Sequence, residues 1–181
     1  MKSISNKFLL LSAVSLATLS ASTIANAQSV TGGQGVVRFT GTIVAGACGI
    51  EGVSQDQTVN LGGVPTNAFK AVGDKSAPQS FDIKLTQCDT TTLKNAFFRF
   101  TGTSNAAQAG LFATVGSARN VGIRLQSASG EFLDNGTEQR GQVVLNDGTN
   151  VVRFAAMYEA TAANVTAGTA DGVANFTVRY Q

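Results

Sequence analysis

Apolar side chains recur at every second residue in five separate stretches of this chain. In "SFDIKL", Phe81, Ile83 and Leu85 alternate with Asp82 and Lys84, and in "FRF", Phe98 and Phe100 flank Arg99. "NVGIRLQ" sets Val121, Ile123 and Leu125 against Gly122 and Arg124. "VVRFAAMYEA" places Val152, Phe154, Ala156 and Tyr158 in one frame, and "ANFTVRYQ" does the same with Ala174, Phe176, Val178 and Tyr180. Successive side chains of a strand point to opposite faces, so this pattern gathers the apolar groups on one side only when the chain is extended. A helix would scatter them around its axis. The five stretches are therefore predicted to be half-buried strands.

Between them lie the turn-rich segments "TGTSNAAQAG", "SASGEFLDNGTEQRGQ", "LNDGTN" and "NVTAGTADG". The Asn135-Gly136 and Asp147-Gly148 steps are the strongest turn signals, since both favour a positive φ. Short strands at this spacing indicate an all-β antiparallel sandwich. "FKAVGDKSA" is expected to hold at most one helical turn, and no internal repeat or second domain is visible.

The first residues read differently. Lys2 and Lys7 precede an uncharged apolar run from Phe8 to about Leu19, and Ala25-Asn26-Ala27 forms the small-x-small pattern of a signal-peptidase site. An uncleaved membrane anchor is the alternative, but Ser and Thr thin the run well short of a typical span. Residues 1–27 are thus expected to be a secretory signal, and Gln28 to Gln181 to form the mature protein with one core. Of the 13 basic residues, Lys2 and Lys7 would leave with the signal, so basic and acidic residues balance in the mature chain. A neutral chain offers no electrostatic case for nucleic acid or an anionic membrane. Cys48 and Cys88 are the two cysteines, and a secreted pair normally oxidises, which predicts one disulfide. With no His, two thiols do not complete a metal shell, and no metal or cofactor is expected.

Catalysis has little to draw on. The absence of His removes the usual base for a Ser or Cys nucleophile. Glu131 with Asp134, or Asp134 with Glu138, form carboxylate pairs on paper, but acids on turns ordinarily face solvent. "GGQGVV" lacks the full glycine pattern of a dinucleotide loop and the Gly-Lys-Ser/Thr of a phosphate loop, and it precedes a strand. Without Trp, and with Tyr158 and Tyr180 inside apolar alternation, a carbohydrate-binding face is disfavoured. The triplets beginning at Asn135, Asn164 and Asn175 matter as glycan acceptors only in a host with that machinery.

Taken in order, the signal, the glycine-bearing first strand "TGGQGVVRF", "ACGIE", "LTQCDTT", "NVGIRL", "LNDGTN", "RFAAMYEAT" and "ANFTVRYQ" resemble the major subunit of type 1 fimbriae, of the chaperone–usher class. The penultimate Tyr180, and Gly168 at the fourteenth position from the C-terminus, match that family's C-terminal signature. The resemblance implies an incomplete immunoglobulin-like β-sandwich lacking its last strand, completed by a donor strand from a neighbouring subunit. It implies that Cys48 and Cys88 clamp the first strand near the second. Further implications are a groove edge at Gly168, Ala174, Phe176, Val178 and Tyr180 on which a periplasmic chaperone docks, transfer through an outer-membrane usher, and a fimbrium of identical or related pilin subunits outside the cell, supporting adhesion. A minor or adaptor subunit and a monomeric sugar-binding sandwich are the alternatives.

Within that resemblance, residues 28–41 are expected to be the donor-strand extension and residues 42–181 the pilin domain. Of its two alternation frames, the one holding Thr31, Gly33, Gly35, Val37 and Phe39 keeps Gln34 and Arg38 out of an apolar groove, and so is the inward frame. The glycines disfavour an isolated strand and leave the segment free for a neighbour.

Overall fold

The structure is a computed structural model and describes residues 36–41, 43 and 46–181. The chain divides into Met1–Gly41 and a compact unit, Thr42–Gln181. In the first of these, residues 36–41 have no regular secondary structure, and Val36, Val37 and Phe39 are exposed.

Among the described residues the compact unit contains nine strands. They are β1 (Gly49–Ile50), β2 (Gln79–Cys88), β3 (Asn95–Gly102), β4 (Phe112–Ala113), β5 (Val121–Ser127), β6 (Phe132–Leu133), β7 (Val143–Val144), β8 (Gly148–Ala160) and β9 (Ala174–Tyr180). One sheet runs β1-β2-β8-β5-β4, with β6 also paired to β5; the other runs β7-β3-β9. All the strand pairs are antiparallel. Every stretch of predicted alternation falls in a strand: β2, β3, β5, β8 and β9.

The core lies between the sheets. From one come Phe81, Ile83, Leu85, Leu125, Val152 and Phe154, and from the other Ala96, Phe98 and Phe100. The Phe154 ring is the hub: it meets Phe98 and Phe100 edge-on at 5.0 and 5.1 Å and stacks on Phe81 at 5.7 Å. Offset and edge-on rings are the favoured aromatic geometries, worth about 0.5–1.5 kcal/mol per pair beyond burial.

The sequence pattern misses several local features. A short α-helix, α1 (Gly52–Gln55), follows β1, and the helical turn expected in "FKAVGDKSA" gives way to a 3₁₀ turn just upstream, Thr66–Ala68. Near its end β2 has an irregularity between Leu85 and Cys88, where Gln87 takes φ 53°. Strict alternation from Leu85 would send Cys88 to the outer face. The extra residue turns it inward, where it is buried and bonded to Cys48. Sheet β1-β2 begins beside that disulfide, with Gly49 opposite Thr86 and Ile50 opposite Leu85.

Candidate functional site: the open edge of the last strand

Strand β9 forms because its residues alternate over seven positions, and because β3 supplies a complete ladder from Ala96–Tyr180 to Gly102–Ala174. Among the described residues, that ladder is the only strand pairing β9 makes. Its other edge presents main-chain N–H and C=O groups to no partner strand, the state that native sheets usually cover or blunt. The side chains report the same deficit. Phe176, Val178 and Tyr180 face the core but are only half-buried, whereas Phe98 and Phe100 beside them on β3 are buried.

A groove follows from this. Phe176 packs against Phe100 with ring centroids 6.1 Å apart, and Phe81 meets Phe100 from the other sheet at 6.4 Å. Ala47, Ile50, Val59 and Leu61 are also half-buried against the core, and Ile50 stands across from β9. A depression of about 210 Å³ is lined by Ile50 and Gln55 on one side and Ala174, Asn175 and Phe176 on the other. Gln55 is pinned there by donating from Nε2 to the Ile50 carbonyl at 3.1 Å.

The far end of β9 is tied down. Tyr180 Oη donates to the Cys48 carbonyl at 3.3 Å, and the Tyr180 ring lies against Gly46 so closely that a Cβ there would sit 3.1 Å from Cε2. Burial pushes the Tyr180 hydroxyl above its ordinary pKa, so it stays a neutral donor. The Cys48–Cys88 disulfide fixes the carbonyl that receives it. Both cysteines of the predicted pair are thus joined, at the closed end of the groove.

On its outer face β9 is stapled across β3. Arg179 donates from Nε and Nη2 to the two carboxylate oxygens of Glu138 at 2.9 and 2.7 Å, and its guanidinium lies 4.4 Å from the Phe97 ring centroid. Those hydrogen bonds, with the Arg179 and Arg99 charges, hold the Glu138 carboxyl below its usual range despite some desolvation. The other acids considered as catalytic pairs are committed as well. Asp134 accepts from Arg124, and Glu131 accepts from the backbone N–H groups of Arg140 and Gly141. Asp134 is exposed, as expected of an acid on a turn, while Glu131 and Glu138 are half-buried among these partners.

Of the residues expected at the groove edge, Ala174, Phe176, Val178 and Tyr180 fall in the inward frame of β9, with Ala174 at its start exposed. Gly168 stands apart. It belongs to an irregular ribbon in which residues 115–119 pair with residues 166–171, and a Cβ at Gly168 would collide with Ser117 Oγ and the Ala118 nitrogen. Glycine permits that close approach, and the residue lines a separate depression with Phe69 and Tyr158. From the predicted donor frame, Val37 and Phe39 are exposed, while Thr31, Gly33 and Gly35, like residues 1–27, lie outside the described residues. Sequence reasoning missed Gln55 and Ile50, which line the depression opposite β9. Isolated apolar residues in a segment without periodicity carry no signal of their own.

Comparison with known proteins gives a consistent answer. A family model described as "Fimbrial protein" matches residues 37–181. The Fimbria A protein of Serratia marcescens is 40% identical over 94% of this chain and 99% of its own length. The type-1 fimbrial protein A chain of Escherichia coli is 38% identical over 94% of this chain and 95% of its own. Among solved structures, a subunit of a chaperone–usher pilus whose structure addresses rod uncoiling matches with a TM-score of 0.72 at 31% identity, covering 86% of this chain and all of that one. The P pilus rod subunit PapA matches with a TM-score of 0.62 at 27% identity, over 75% of this chain and all of its own.

Proposed function

The chain belongs to the fimbrial protein family, and from that premise we propose that it is the shaft-building subunit of a bacterial surface fimbria, polymerised by donor-strand exchange. In this reading residues 1–27 are removed on export, residues 42–181 form the incomplete immunoglobulin-like sandwich, and residues 28–41 of one subunit fill the groove of the next. The observation that carries it is the open edge of β9 above the half-buried row of Phe176, Val178 and Tyr180. An added strand completes the ladder and covers that row, which is β-strand addition. Thr31, Gly33, Gly35, Val37 and Phe39 make up its inward frame, and burying Val37 and Phe39 stabilises the joint by roughly 1.5–3 kcal/mol each. Before assembly the same edge needs a temporary strand, supplied in the periplasm by a chaperone and released at an outer-membrane usher. In this reading the protein acts as a building element of the fibre and not as an enzyme, supported by its membership of a family of fimbrial subunits. Similarity to rod subunits favours the shaft over an adaptor position.

The test moves Gln28 to Gly41 from the N-terminus to a position after Gln181, through a short turn linker. Loop closure adds little cost, so this protein is expected to be a stable monomer without chaperone. Plain deletion of the same segment should leave a subunit that still accepts a strand but cannot donate one. Fibres from the deletion variant, seen by electron microscopy, or a re-attached chain that remains unstable, would overturn the reading.

A further inference from the structure

The turn after β6 carries a chemistry that strand exchange does not use. Asn135 is followed by Gly136, which has φ 78° and no side chain to hinder approach to its nitrogen. In such a step the glycine nitrogen attacks the asparagine Cγ. A new C–N bond closes a succinimide, the amide C–N bond breaks, and ammonia leaves with the proton that the glycine nitrogen gives up. Water then opens the ring to aspartate or isoaspartate, so the net change is amide plus water to acid plus ammonia.

The fold restrains both reacting groups. The nucleophile, the Gly136 N–H, donates to the Phe100 carbonyl at 2.8 Å. The electrophile is gripped on both sides: Asn135 Oδ1 accepts from the Gly102 N–H at 3.0 Å, while Nδ2 donates to the Gly102 carbonyl and to Ser104 Oγ, each at 3.0 Å. The side-chain amide thus acts as one more rung on the end of β3. Asn135 also donates its own N–H to the Gly110 carbonyl at 3.0 Å. For Gly136 nitrogen to reach Cγ, these bonds must open together.

The product fits the turn badly. A carboxylate has no N–H, so the donations to Gly102 and Ser104 vanish and an anionic oxygen faces the Gly102 carbonyl. Isoaspartate also adds a methylene to the main chain and shifts the Gly136 N–H away from Phe100. We propose that Asn135-Gly136 is a self-modification site that folding switches off, so that chains left unfolded are converted into chains that can no longer complete this turn. The chemistry of the turn does not involve strand exchange, but its test uses fibres and chaperone and in that respect rests on the function proposed above.

The experiment compares the mature protein in assembled fibres with the same protein held in denaturant at neutral pH. Peptide mass spectrometry follows amide-to-acid conversion at Asn135, with Asn164-Val165 and Asn175-Phe176 as internal references. In the fibre, conversion is confined to the small population whose turn is open, so it should be at least about tenfold slower than in denaturant. Refolding yield with excess chaperone should fall in step with conversion at Asn135. Asn135→Asp should lower the unfolding midpoint, and Asn164→Asp, on an exposed turn, should leave it in place. Equal conversion rates in fibre and denaturant would overturn the proposal, as would fully converted chains that refold with undiminished yield.

Discussion

Strands β8 and β9 carry the same alternating pattern but meet different surroundings. β8 is laddered to β2 on one side and β5 on the other, and its inward row of Asn150, Val152, Phe154 and Ala156 is buried. Among the described residues β9 is laddered to β3 alone, and Phe176, Val178 and Tyr180 of its inward row are half-buried. Alternation determines which side chains turn inward. The number of neighbouring strands determines how far water is excluded from them. Each strand also has an Arg–Glu pair. At β8, Arg124 Nε meets Glu159 Oε2 at 2.8 Å, with side chains 12% and 6% exposed, whereas the Arg179–Glu138 pair at β9 is 49% and 30% exposed.

The strongest way to break this comparison is to empty both inward rows. Phe154→Ala is expected to destabilise the subunit by about 3–5 kcal/mol, because the vacated hub leaves a cavity among three rings. Phe176→Ala should cost roughly half as much in a subunit lacking residues 28–41, and more in the re-attached monomer, where the added strand buries the ring. Denaturant unfolding of both backgrounds measures this. Equal costs for the two rings without a donor strand would mean that β9 is already covered.

Next come the ion pairs. Arg124→Ala leaves Glu159 buried with only Lys75, 3.4 Å away, to balance it, and is expected to cost about 3 kcal/mol. Arg179→Ala should cost much less, and its effect should shrink further in salt, since solvent already screens the pair. Thermal unfolding at low and high ionic strength separates the two.

Acid sharpens the same contrast. Burial pushes the Glu159 carboxyl up, but hydrogen bonds and charge from Arg124 and Lys75 outweigh it and hold the group below its ordinary value of 4.5. A depressed folded pKa contributes stability that is fully present above 4.5 and is lost as pH falls through the folded value. Unfolding midpoints should therefore drop between pH 4.5 and lower pH, and Glu159→Gln should flatten that slope while lowering stability at neutral pH. An unchanged slope in this variant would assign acid sensitivity to the surface carboxylates.

The smallest effect is expected at the β2 irregularity. Gln87 adopts φ 53° without the freedom of glycine, so Gln87→Gly should stabilise the subunit by up to about 1 kcal/mol. A loss in the unfolding midpoint would show that the Gln side chain has a role of its own.

These elements also mark how much of the molecule could be read from the sequence. β2, β3, β5, β8 and β9 were legible because each repeats a period of two over enough residues to be seen. β1, β4, β6 and β7 span two residues each, too few for any periodicity. The inward turn of Cys88 was hidden because a bulge resets the frame without altering composition. At the site, the row on β9 was legible by alternation, but its half-burial depends on a missing neighbour, which no local pattern encodes. The role of Gly168 likewise depends on residues 117 and 118, far away in the chain.

The ladders that shape the groove join segments made at very different times. Phe81 pairs with Phe154, Ala96 with Tyr180, and the Tyr180 hydroxyl reaches back 132 residues to Cys48. The entropy of closing such loops is lost before any rung compensates for it, which places sandwiches of this kind among the slow folders, at milliseconds to about seconds. β9 can settle only after β3 is in place, so the groove edge is among the last surfaces to take shape. For the length of that delay, two strands' worth of apolar side chains remain open to any other chain in the same compartment. A slower docking of β9 therefore lengthens the interval in which subunits are prone to aggregate.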